Sequence, residues 1–190
     1  MAEKGLCFVI TGPSGSGKTT VVEKLVAQLP SAARLVTTTT RAPREGERDG
    51  VDYHFLSREE FIARRERGEF LEWAETYGNF YGSSKVELEK LRGAVGVTFC
   101  VIDVQGAEAY RELVPDAILV MLKTPVEQLK GRLLRRKQVP APELERRMQE
   151  AMREMAFADR CHFAIDCVDG QLDTAVFLIT SLVAMQKSAS

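Results

Sequence analysis

The chain has 190 residues, 45% of them hydrophobic and 28% charged, which is enough for one domain with a substantial core. Its 26 basic and 27 acidic residues leave a formal net charge of −1, which argues against general binding to nucleic acid or to a membrane surface. No apolar run is long enough to span a bilayer, and the first residues lack signal-peptide character, so we expect a cytoplasmic protein.

The first chemical motif in the chain is a glycine-rich stretch at residues 12–19. It reads Gly, four residues, Gly, Lys and Thr, and it lies between the apolar run 6–10 and the amphipathic run 21–29. A strand before this pattern and a helix after it are the context of a P-loop, whose backbone N–H groups and helix N-terminus surround a phosphate. The motif predicts binding of a nucleoside triphosphate, with Lys18 directed at the β- and γ-phosphates and the Thr19 hydroxyl able to hold Mg²⁺.

Three further apolar runs lack the alternation of a half-exposed strand, and they lie at 97–102, 118–122 and 163–165. Such runs are typical of parallel strands covered on both faces, and residues 35–36 are expected to end a fifth strand. Apolar residues recur with helical spacing at 126–134, 144–155 and 172–183, and we assign these stripes to core packing. Alternating strands and helices predict an α/β fold with a parallel sheet.

Two stretches interrupt this alternation. Residues 37–92 carry Gly-rich turns, several aromatic residues and period-2 patterns, which predict a small, partly antiparallel subdomain inserted after the second core strand. Residues 137–142 are polar and contain two prolines, which predicts a break between two Arg-rich helices, with Pro142 in the first turn of the second. These two helices are expected to form a hinged hairpin.

The four cysteines form no CxxC pair, and the two histidines complete no metal-ligand spacing. Cys7 and Cys100 lie within apolar, strand-like runs, so we expect buried, reduced thiols there. A reducing compartment agrees with the expected cytoplasmic location.

The loop around Arg41 and Arg44 is a candidate anion site. The two arginines flank Pro43, and two planar guanidiniums held close together suit a phosphate dianion. Surface arginines are common, so a solvated charged loop is an equal alternative on the residues alone. Glu72, in an aromatic-rich strand pattern, also allows two interpretations: a half-exposed sheet residue, or an acceptor for two adjacent N–H groups of a base.

Taken together, these strings resemble the guanylate kinase family over about residues 5–182. Besides the P-loop, the resemblance rests on Thr39-Thr40-Arg41-x-Pro43-Arg44-x-Gly46-Glu47, Asp52-Tyr53-x-Phe55, Glu69-Phe70-x-Glu72-Trp73-Ala74, Gly78-Asn79-x-Tyr81-Gly82 and Ile102-Asp103-x-Gln105-Gly106. It implies the reaction ATP + GMP ⇌ ADP + GDP with Mg²⁺, in purine nucleotide metabolism. It also implies a P-loop NTPase core with a parallel sheet, an inserted small mixed α+β GMP-binding subdomain and a helical lid.

The resemblance implies one domain at 5–184, with the core at 5–36, 93–125 and 157–187, the GMP-binding subdomain at 37–92 and the lid at 126–156. The implied ATP-binding residues are Gly12, Pro13, Ser14, Gly15, Ser16, Gly17, Lys18 and Thr19. The implied GMP-binding residues are Thr37, Arg41, Arg44, Tyr53, Glu72, Tyr81, Ser83 and Asp103. The implied catalytic residues are Lys18, Arg41, Arg136 and Arg147, and the implied metal ligands are Thr19 and Asp103. Arg132 is either a helper at the transferring phosphoryl group or part of an exposed helix face paired with glutamates.

Guanine offers an acceptor at O6 and donors at N1 and N2, whereas adenine reverses the first two. A site built from Thr37 and Glu72 would therefore leave buried polar groups unpaired with AMP. Val101 stands where the family usually has a second acid, which leaves Asp103 as the main acidic metal ligand.

Two alternatives to a GMP kinase are a phosphopeptide-binding module on the same framework and a kinase of a sugar phosphate. Intact Lys18 and Thr19 argue against the first. The set of Thr37, Glu72 and Asp103 argues against the second. The sequence indicates ATP and GMP as partners, without nucleic acid or membrane, and does not indicate an oligomeric state.

Overall fold

A five-stranded parallel sheet forms the centre of the structure. The computed structural model describes residues 4–76, 78–136 and 141–189, without the side chains at 133, 135, 136, 141, 143 and 189. The strands are β1 (Leu6–Thr11), β2 (Ala32–Arg34), β3 (Thr38–Thr39), β4 (His54–Phe55), β5 (Phe70–Thr76), β6 (Asn79–Ser84), β7 (Val97–Val101), β8 (Ile118–Lys123) and β9 (Phe163–Asp166). The helices are α1 (Lys18–Gln28), α2 (Arg58–Glu66), α3 (Lys85–Ala94), α4 (Val104–Leu113), α5 (Val126–Arg136), α6 (Ala141–Met155) and α7 (Leu172–Ala189), with a short 3-10 helix at Ala156–Arg160.

The central sheet has the order β2-β7-β1-β8-β9, and all of its pairs are parallel, which confirms the predicted α/β class. Its three inner strands, β1, β7 and β8, are largely apolar because both of their faces are covered. Phe8 and Ile10 of β1 pack toward α1 and α7, whereas Cys7 and Val9 pack toward α4. Cys7 and Cys100 are buried free thiols, as expected.

The fifth strand of the central sheet is the edge strand β2, which ends at Arg34 instead of Val36. The Leu35 N–H still donates to the Phe99 carbonyl at 2.8 Å, so the ladder continues one residue beyond the strand. The strand itself is short and only half-buried, and it therefore lacks the apolar run that marks the other four.

The inserted segment forms a second sheet with the order β4-β3-β6-β5. Its pairs are antiparallel except β3 with β4, so the partly antiparallel strand pairing predicted for this segment is present. The stacked rings of Phe61, Phe70 and Phe80 form its small core, with centroids 4.4 and 5.2 Å apart. Helix α3 crosses the expected boundary between 92 and 93, and the division into core, subdomain and lid stays a prediction.

Short polar residues start three of the helices by accepting a backbone hydrogen bond in the first turn, each worth about 1 kcal/mol. Ser57 caps α2 at 3.1 Å, Ser84 caps α3 at 3.4 Å, and Asp103 caps α4 at 2.8 Å. The cap at Asp103 fixes this carboxylate at the carboxyl end of β7.

Helices α5 and α6 contact each other and form the predicted hairpin, with Pro142 in the first turn of α6. The break predicted at 137–142 falls largely on residues 137–140, which lie outside the described residues. Among the described helices, none is both long enough and apolar enough to cross a membrane.

Candidate active site

The P-loop joins β1 to α1 at the carboxyl edge of the central sheet. Gly12 has φ +141°, and a Cβ there would lie 2.5 Å from the Leu122 carbonyl oxygen, so only glycine lets the loop turn this close to β8. The N–H of Ser16 donates to the Pro13 carbonyl at 3.0 Å and closes the turn. The Ser16 hydroxyl is buried and has no hydrogen-bond partner among the described residues.

Lys18 is the first residue of α1, and its side chain folds back over the loop. Its Nζ donates to the carbonyl oxygens of Gly12 at 2.6 Å and Pro13 at 3.1 Å. Thr19 follows it and is exposed. The ammonium is therefore held at the loop that the sequence identifies as the phosphate cradle.

Arg132 of α5 is bound to the other side of the P-loop. Its Nη1 donates to the Gly15 carbonyl at 2.8 Å, and its Nε donates to the Asp169 carboxylate at 2.9 Å. Its side chain is mostly buried. The guanidinium therefore braces the loop and pairs with an aspartate that follows β9, which contradicts the alternative of an exposed helix face paired with glutamates. The alternative role, a helper at the transferring phosphoryl group, stays a prediction.

Of the two predicted lid arginines, Arg147 lies half-buried on α6. Arg136 is the last residue of α5, and its side chain lies outside the described part of the structure. Their approach to a nucleotide stays a prediction.

Glu154 of α6 is an acidic residue near the P-loop that the sequence reasoning missed. Burial raises its pKa to about 7, the carboxylates of Asp103 and Glu150 add to the rise, and the Lys18 ammonium and the backbone N–H of Ser14 oppose it. The carboxylate of Glu154 therefore interacts electrostatically with the P-loop at Lys18 and Ser14. The only sequence signal was its place at the border of the apolar stripe of α6.

Three of the residues predicted to hold an acceptor phosphate, Arg41, Tyr53 and Tyr81, lie together with Glu47 in what we call the Arg41 cluster. Nη2 of Arg41 contacts both Glu47 oxygens at 2.8 and 2.9 Å, and the guanidinium lies 5.4 Å from the centroid of the Tyr53 ring. Tyr53 and Tyr81 meet edge to face at 6.2 Å. The guanidinium is thereby fixed in one orientation.

Glu47 had no role in the sequence-based assignment, although it organises this loop. It accepts from the Arg44 backbone N–H at 2.7 Å, and although burial raises its pKa, the Arg44 N–H and the Arg41 guanidinium bring the pKa below its usual value. Arg44 itself has an exposed side chain and joins the cluster through its backbone. Glu47 therefore stays ionised and holds the loop around Arg41.

A second group, which we call the Glu72 cluster, consists of Glu72, Ser83, Asp103 and Thr76. Glu72 is 8% exposed on β5, and Ser83, its partner on β6, donates its hydroxyl to Glu72 Oε1 at 2.6 Å. The Thr76 hydroxyl donates to Asp103 Oδ2 at 3.2 Å. The cluster brings together three of the predicted base-reading residues.

The ionisation of Glu72 is disfavoured by its surroundings. Burial raises its pKa to about 7, the Ser83 hydroxyl opposes the rise, and the Asp103 carboxylate adds to it. Glu72 is therefore a buried carboxyl group that titrates near neutral pH. Perturbed acids of this kind are enriched at functional sites.

Thr37 belongs to neither cluster through its described hydrogen bonds. It lies half-buried just before β3, and its carbonyl accepts from the His54 N–H at 2.9 Å. Its proposed contact with a base stays a prediction.

Gly106 lets Glu72 approach α4. A Cβ at Gly106 would lie 2.8 Å from Glu72 Oε2 and 2.3 Å from Ile102 Cγ2. The sequence contained this glycine in a motif, but it gave no reason for it. The reason is steric, because α4 and β5 touch at this point.

We expect Gly106→Ala to lower the free energy of unfolding by about 1–3 kcal/mol, because the methyl group has no room. Urea unfolding followed by circular dichroism measures the change. Gly93→Ala is the matched control, since Gly93 also lies in a helix and a Cβ there meets nothing within 4 Å. Equal stability of Gly106→Ala and Gly93→Ala would contradict the tight approach.

No group of three or more His, Cys, Asp and Glu side chains suited to a metal ion occurs in the described parts of the chain. Thr19 and Asp103 follow β1 and β7, which are paired neighbours, so both lie at the same sheet edge. One hydroxyl and one carboxylate suffice for Mg²⁺ in a nucleotide site, since this ion takes its remaining ligands from phosphates and water. The donor set therefore fits a magnesium ion carried in with a nucleotide.

Comparison with known proteins gives a consistent family. The family model described as guanylate kinase matches residues 4–186. The guanylate kinase of Myxococcus xanthus (strain DK1622) is 41% identical over 152 residues, which cover 80% of this chain and 73% of the relative. That of Clostridium perfringens (strain SM101 / Type A) is 36% identical over 185 residues, which cover 97% of this chain and 85% of the relative.

Solved structures show the same likeness. The guanylate kinase from Anaplasma phagocytophilum superimposes with a TM-score of 0.78 at 30% identity, covering 96% of this chain and 86% of that one. A shikimate kinase from Acinetobacter baumannii in complex with shikimate reaches a TM-score of 0.52 at 20% identity, covering 97% and 96%, and shares the fold alone. Because a kinase of a different acceptor has this fold, the choice of acceptor must come from the side chains of the site.

Proposed function

Because the chain belongs to the guanylate kinase family, we propose that it transfers the γ-phosphate of ATP to GMP, giving ADP and GDP. It is an enzyme, a nucleoside monophosphate kinase with ATP:GMP phosphotransferase activity. The observation that supports this acceptor is the buried carboxylate of Glu72 beside Asp103. A carboxylate can accept from the adjacent N1–H and 2-amino groups of guanine.

The catalytic interpretation is favoured over a phosphopeptide-binding module on the same framework. Lys18 and Thr19 stand in an intact P-loop, which a module that does not use ATP would not need. A kinase of a sugar phosphate would fit the fold equally well. The Glu72 cluster argues against it, because a sugar has no row of N–H donors.

At the donor end, the P-loop amides and the N-terminus of α1 would hold the ATP phosphates. Lys18 would exchange its contacts with the Gly12 and Pro13 carbonyls for phosphate oxygens. Phosphoryl transfer is catalysed mainly by positioning and charge neutralisation, so this exchange supplies positive charge where negative charge develops.

At the acceptor end, Arg41 and Arg44 would bind the GMP phosphate with help from Tyr53 and Tyr81. A guanidinium has five N–H donors, so Arg41 can remain on Glu47 while it binds phosphate. The phosphate is already an anion at neutral pH and needs no strong general base. The loop thus presents the nucleophile in a fixed position.

Glu72 would recognise guanine by accepting hydrogen bonds from N1–H and the 2-amino group. Asp103 would assist at the 2-amino group, the Thr37 hydroxyl would donate to O6, and Ser83 would add a polar contact to the base. Adenine lacks the N1–H donor, so AMP would leave Glu72 buried without a partner. Mismatches of this kind can cost ~10⁴-fold in specificity.

We propose that Thr19 and Asp103 hold Mg²⁺ together with the ATP phosphates. Bound there, Mg²⁺ would supply positive charge that offsets the negative charge of the phosphates. Its two protein ligands would be held in different ways: Asp103 is fixed by its cap on α4 and by Thr76, whereas Thr19 is exposed at the start of α1.

The α5–α6 hairpin would act as the lid. Its arginines, Arg136 and Arg147, would approach the transferring phosphoryl group as the hairpin closes, and closure would exclude water. Arg132 already connects α5 to the P-loop through Gly15, so closure and loop geometry are linked at this residue.

We also propose that the enzyme acts in the cytoplasm, in purine nucleotide metabolism and GMP recycling. Its four free cysteines agree with a reducing compartment.

The direct test is an assay with ATP and Mg²⁺ in which GMP, dGMP, AMP and ribose 5-phosphate are offered separately. Chromatographic separation of the products should show GDP and dGDP, with little or no ADP formed from AMP beyond that from ATP turnover. Folded protein that makes no GDP would refute the proposal. Phosphorylation of the sugar phosphate instead would support the rival kinase.

We expect Arg44→Ala to raise the KM for GMP by about tenfold or more, because one guanidinium bound to phosphate is lost. The KM for ATP should stay nearly unchanged. Steady-state kinetics with each substrate varied in turn provides the measurement. Arg48→Ala is the control, an exposed arginine four residues further along the loop. Equal changes in the two KM values would remove Arg44 from the acceptor site.

A further inference from the structure

Helix α7 is apolar on both of its faces. Its inner face packs on the core through Ala175, Val176, Ile179 and Val183. On the outer face, Phe177 is 68% exposed, Met185 is 64% exposed and Leu178 is 43% exposed. Single exposed apolar side chains are ordinary, but three of them on one side of one helix are typical of an interaction surface.

The outer surface of α7 carries no charge over about four turns. It consists of Thr174, Phe177, Leu178, Ser181, Ala184, Met185 and Ser188, and we call it the α7 face. At about 100° per residue, all of these side chains lie within about 60° of Ser181 around the helix axis. A helix face that served only to meet water would carry charged residues.

The α7 face is symmetric in sequence about Ser181. In an antiparallel pair of these helices with a two-fold axis beside Ser181, residues equally far before and after it lie at the same level. Phe177 of one copy then lies beside Met185 of the other, and Leu178 lies beside Ala184. Each large side chain thus meets a flexible or a small one, so the face is complementary to itself.

The charges at the two ends of α7 favour the same arrangement. Asp173 and Lys187 lie on one flank of the helix, about 80° and 120° around from Ser181. They stand eight residues before it and six after it, so in the antiparallel pair Asp173 of each copy comes beside Lys187 of the other. The Asp173 side chain is 83% exposed and has acceptor capacity beyond its contact with Lys24. The Lys187 ammonium has N–H donors beyond the one given to Ser31.

The charge of α7 disfavours a membrane surface as the occupant of this face. Helices that lie on membranes usually carry several Lys and Arg residues on their polar face, which attract anionic lipids. Asp173 and Lys187 are the two charged residues among the 18 of α7, and their charges cancel. Opposite charges at the two ends suit an antiparallel copy of the same helix instead.

We propose that a second copy of this chain covers the α7 face, in a two-fold symmetric dimer whose α7 helices pack antiparallel about Ser181. One pair of helices buries less than the about 800 Å² per partner of a standard interface, so we expect a dissociation constant of about 10 μM. The α7 face contains none of the residues assigned to ATP, GMP or Mg²⁺. The inference therefore does not depend on the proposed function.

Sedimentation equilibrium at about 1 to 200 μM chain measures the association. The apparent mass should rise with concentration from the chain mass of 21.2 kDa toward twice that value. The double variant Phe177→Glu, Met185→Glu should stay at the chain mass, and its circular dichroism should match the wild type because both side chains are exposed. Val86→Glu is the matched control, since it places the same charge on an exposed apolar residue of α3 and should leave the association unchanged.

A charge exchange tests the orientation of the two helices. Asp173→Lys should weaken the association about three- to tenfold, because like charges then meet at both ends. Adding Lys187→Asp to this variant should restore it, since each pair is then present with its signs reversed. Lys24→Ala removes only the ion pair within the chain and should not weaken the association.

Ser181→Cys tests the position of the two-fold axis. At the usual helix spacing of about 8–10 Å, the two copies of this residue face each other at a separation that a disulfide can span. Oxidation with copper phenanthroline should therefore give a crosslinked dimer on non-reducing gels. Ala94→Cys, at an exposed position of α3, is the control and should crosslink no more than the wild type.

Wild-type protein that keeps the chain mass at about 200 μM would overturn the proposal. A dimer that persists in the double variant Phe177→Glu, Met185→Glu would also overturn it. Vesicles of phosphatidylcholine and phosphatidylglycerol provide a further arm: binding of the wild type without self-association would identify a membrane surface as the occupant and refute the dimer. Failure of both the charge exchange and the Ser181→Cys crosslink would refute the antiparallel arrangement.

Discussion

Glu72→Gln should make the nucleotide-free protein more stable at alkaline pH and should remove most of its preference for GMP. The pKa of Glu72 is raised from 4.5 to about 7 in the folded protein, chiefly by burial. The folded state therefore keeps a proton that the unfolded chain has already released between these two values. The free energy of unfolding therefore falls as pH rises from about 4.5 to about 7. Above about pH 7 Glu72 is ionised in the folded protein, and the whole destabilisation by its buried charge is present.

The shift corresponds to about 3 kcal/mol, at about 1.4 kcal/mol for each pKa unit. Glutamine carries no charge, and its carbonyl oxygen can still accept from Ser83. We therefore expect the free energy of unfolding of Glu72→Gln to exceed that of the wild type by up to this amount at about pH 8.5 and to converge with it near pH 4.5.

Denaturant unfolding at a series of pH values measures this difference. Glu75→Gln serves as the control, because Glu75 lies on the same strand but is half-exposed and pairs with Arg58 at the surface. If wild type and Glu72→Gln lost stability in parallel between pH 5 and 8, Glu72 would not be the titrating group.

The same substitution should lower kcat/KM for GMP by about 10²- to 10³-fold, because the amide N–H₂ then faces the N1–H donor of guanine. AMP should be affected far less. A GMP:AMP ratio of kcat/KM that stayed constant would exclude Glu72 from base recognition. Glu72→Gln should thus raise stability and lower activity at once. This combination is expected where a charge is buried because substrate binding requires it.

The sequence predicted the central sheet well because its strands are buried on both faces. The runs expected at 97–102 and 118–122 became Val97–Val101 and Ile118–Lys123. The edge strand β2 was less visible, since an edge strand of three half-buried residues has no apolar run. The order of the strands was not accessible, because periodicity indicates that a strand is buried but not which strand lies beside it.

The candidate site was predictable where residues stand in motifs and not where it depends on packing between distant segments. Glu72 and Asp103 came from the resemblance, but their closeness depends on the contact of β5 with α4 at Gly106. Glu47 stands in one of the motifs but was given no role, and Glu154 stands in no motif. Glu154 lies at the border of the apolar stripe of α6, where a charged residue is ordinary.

Lys18→Met should reduce kcat by about 10²- to 10³-fold while the protein stays folded, because a preorganised charge at the transferring phosphate is removed. Methionine keeps an unbranched, flexible side chain, so the loss is mainly that of the ammonium. The P-loop has other supports, since Ser16 bonds to Pro13 and Arg132 bonds to Gly15. We therefore expect unfolding curves close to those of the wild type.

Coupled-assay kinetics and calorimetric binding of GMP together separate the roles of Lys18. GMP affinity should change little, because the Arg41 and Glu72 clusters hold the acceptor, whereas turnover should fall. Lys24→Met is the control, since Lys24 lies on the same helix and pairs with Asp173 in an exposed ion pair of small energetic value.

Wild-type turnover in Lys18→Met would mean that the P-loop amides and the lid arginines supply the necessary charge without the Lys18 ammonium. A parallel loss of GMP binding would instead indicate that Lys18 also organises the acceptor side. The structure offers a route for this effect, because Lys18 interacts electrostatically with Glu154 and Glu154 with Asp103. Asp103 in turn interacts with Glu72.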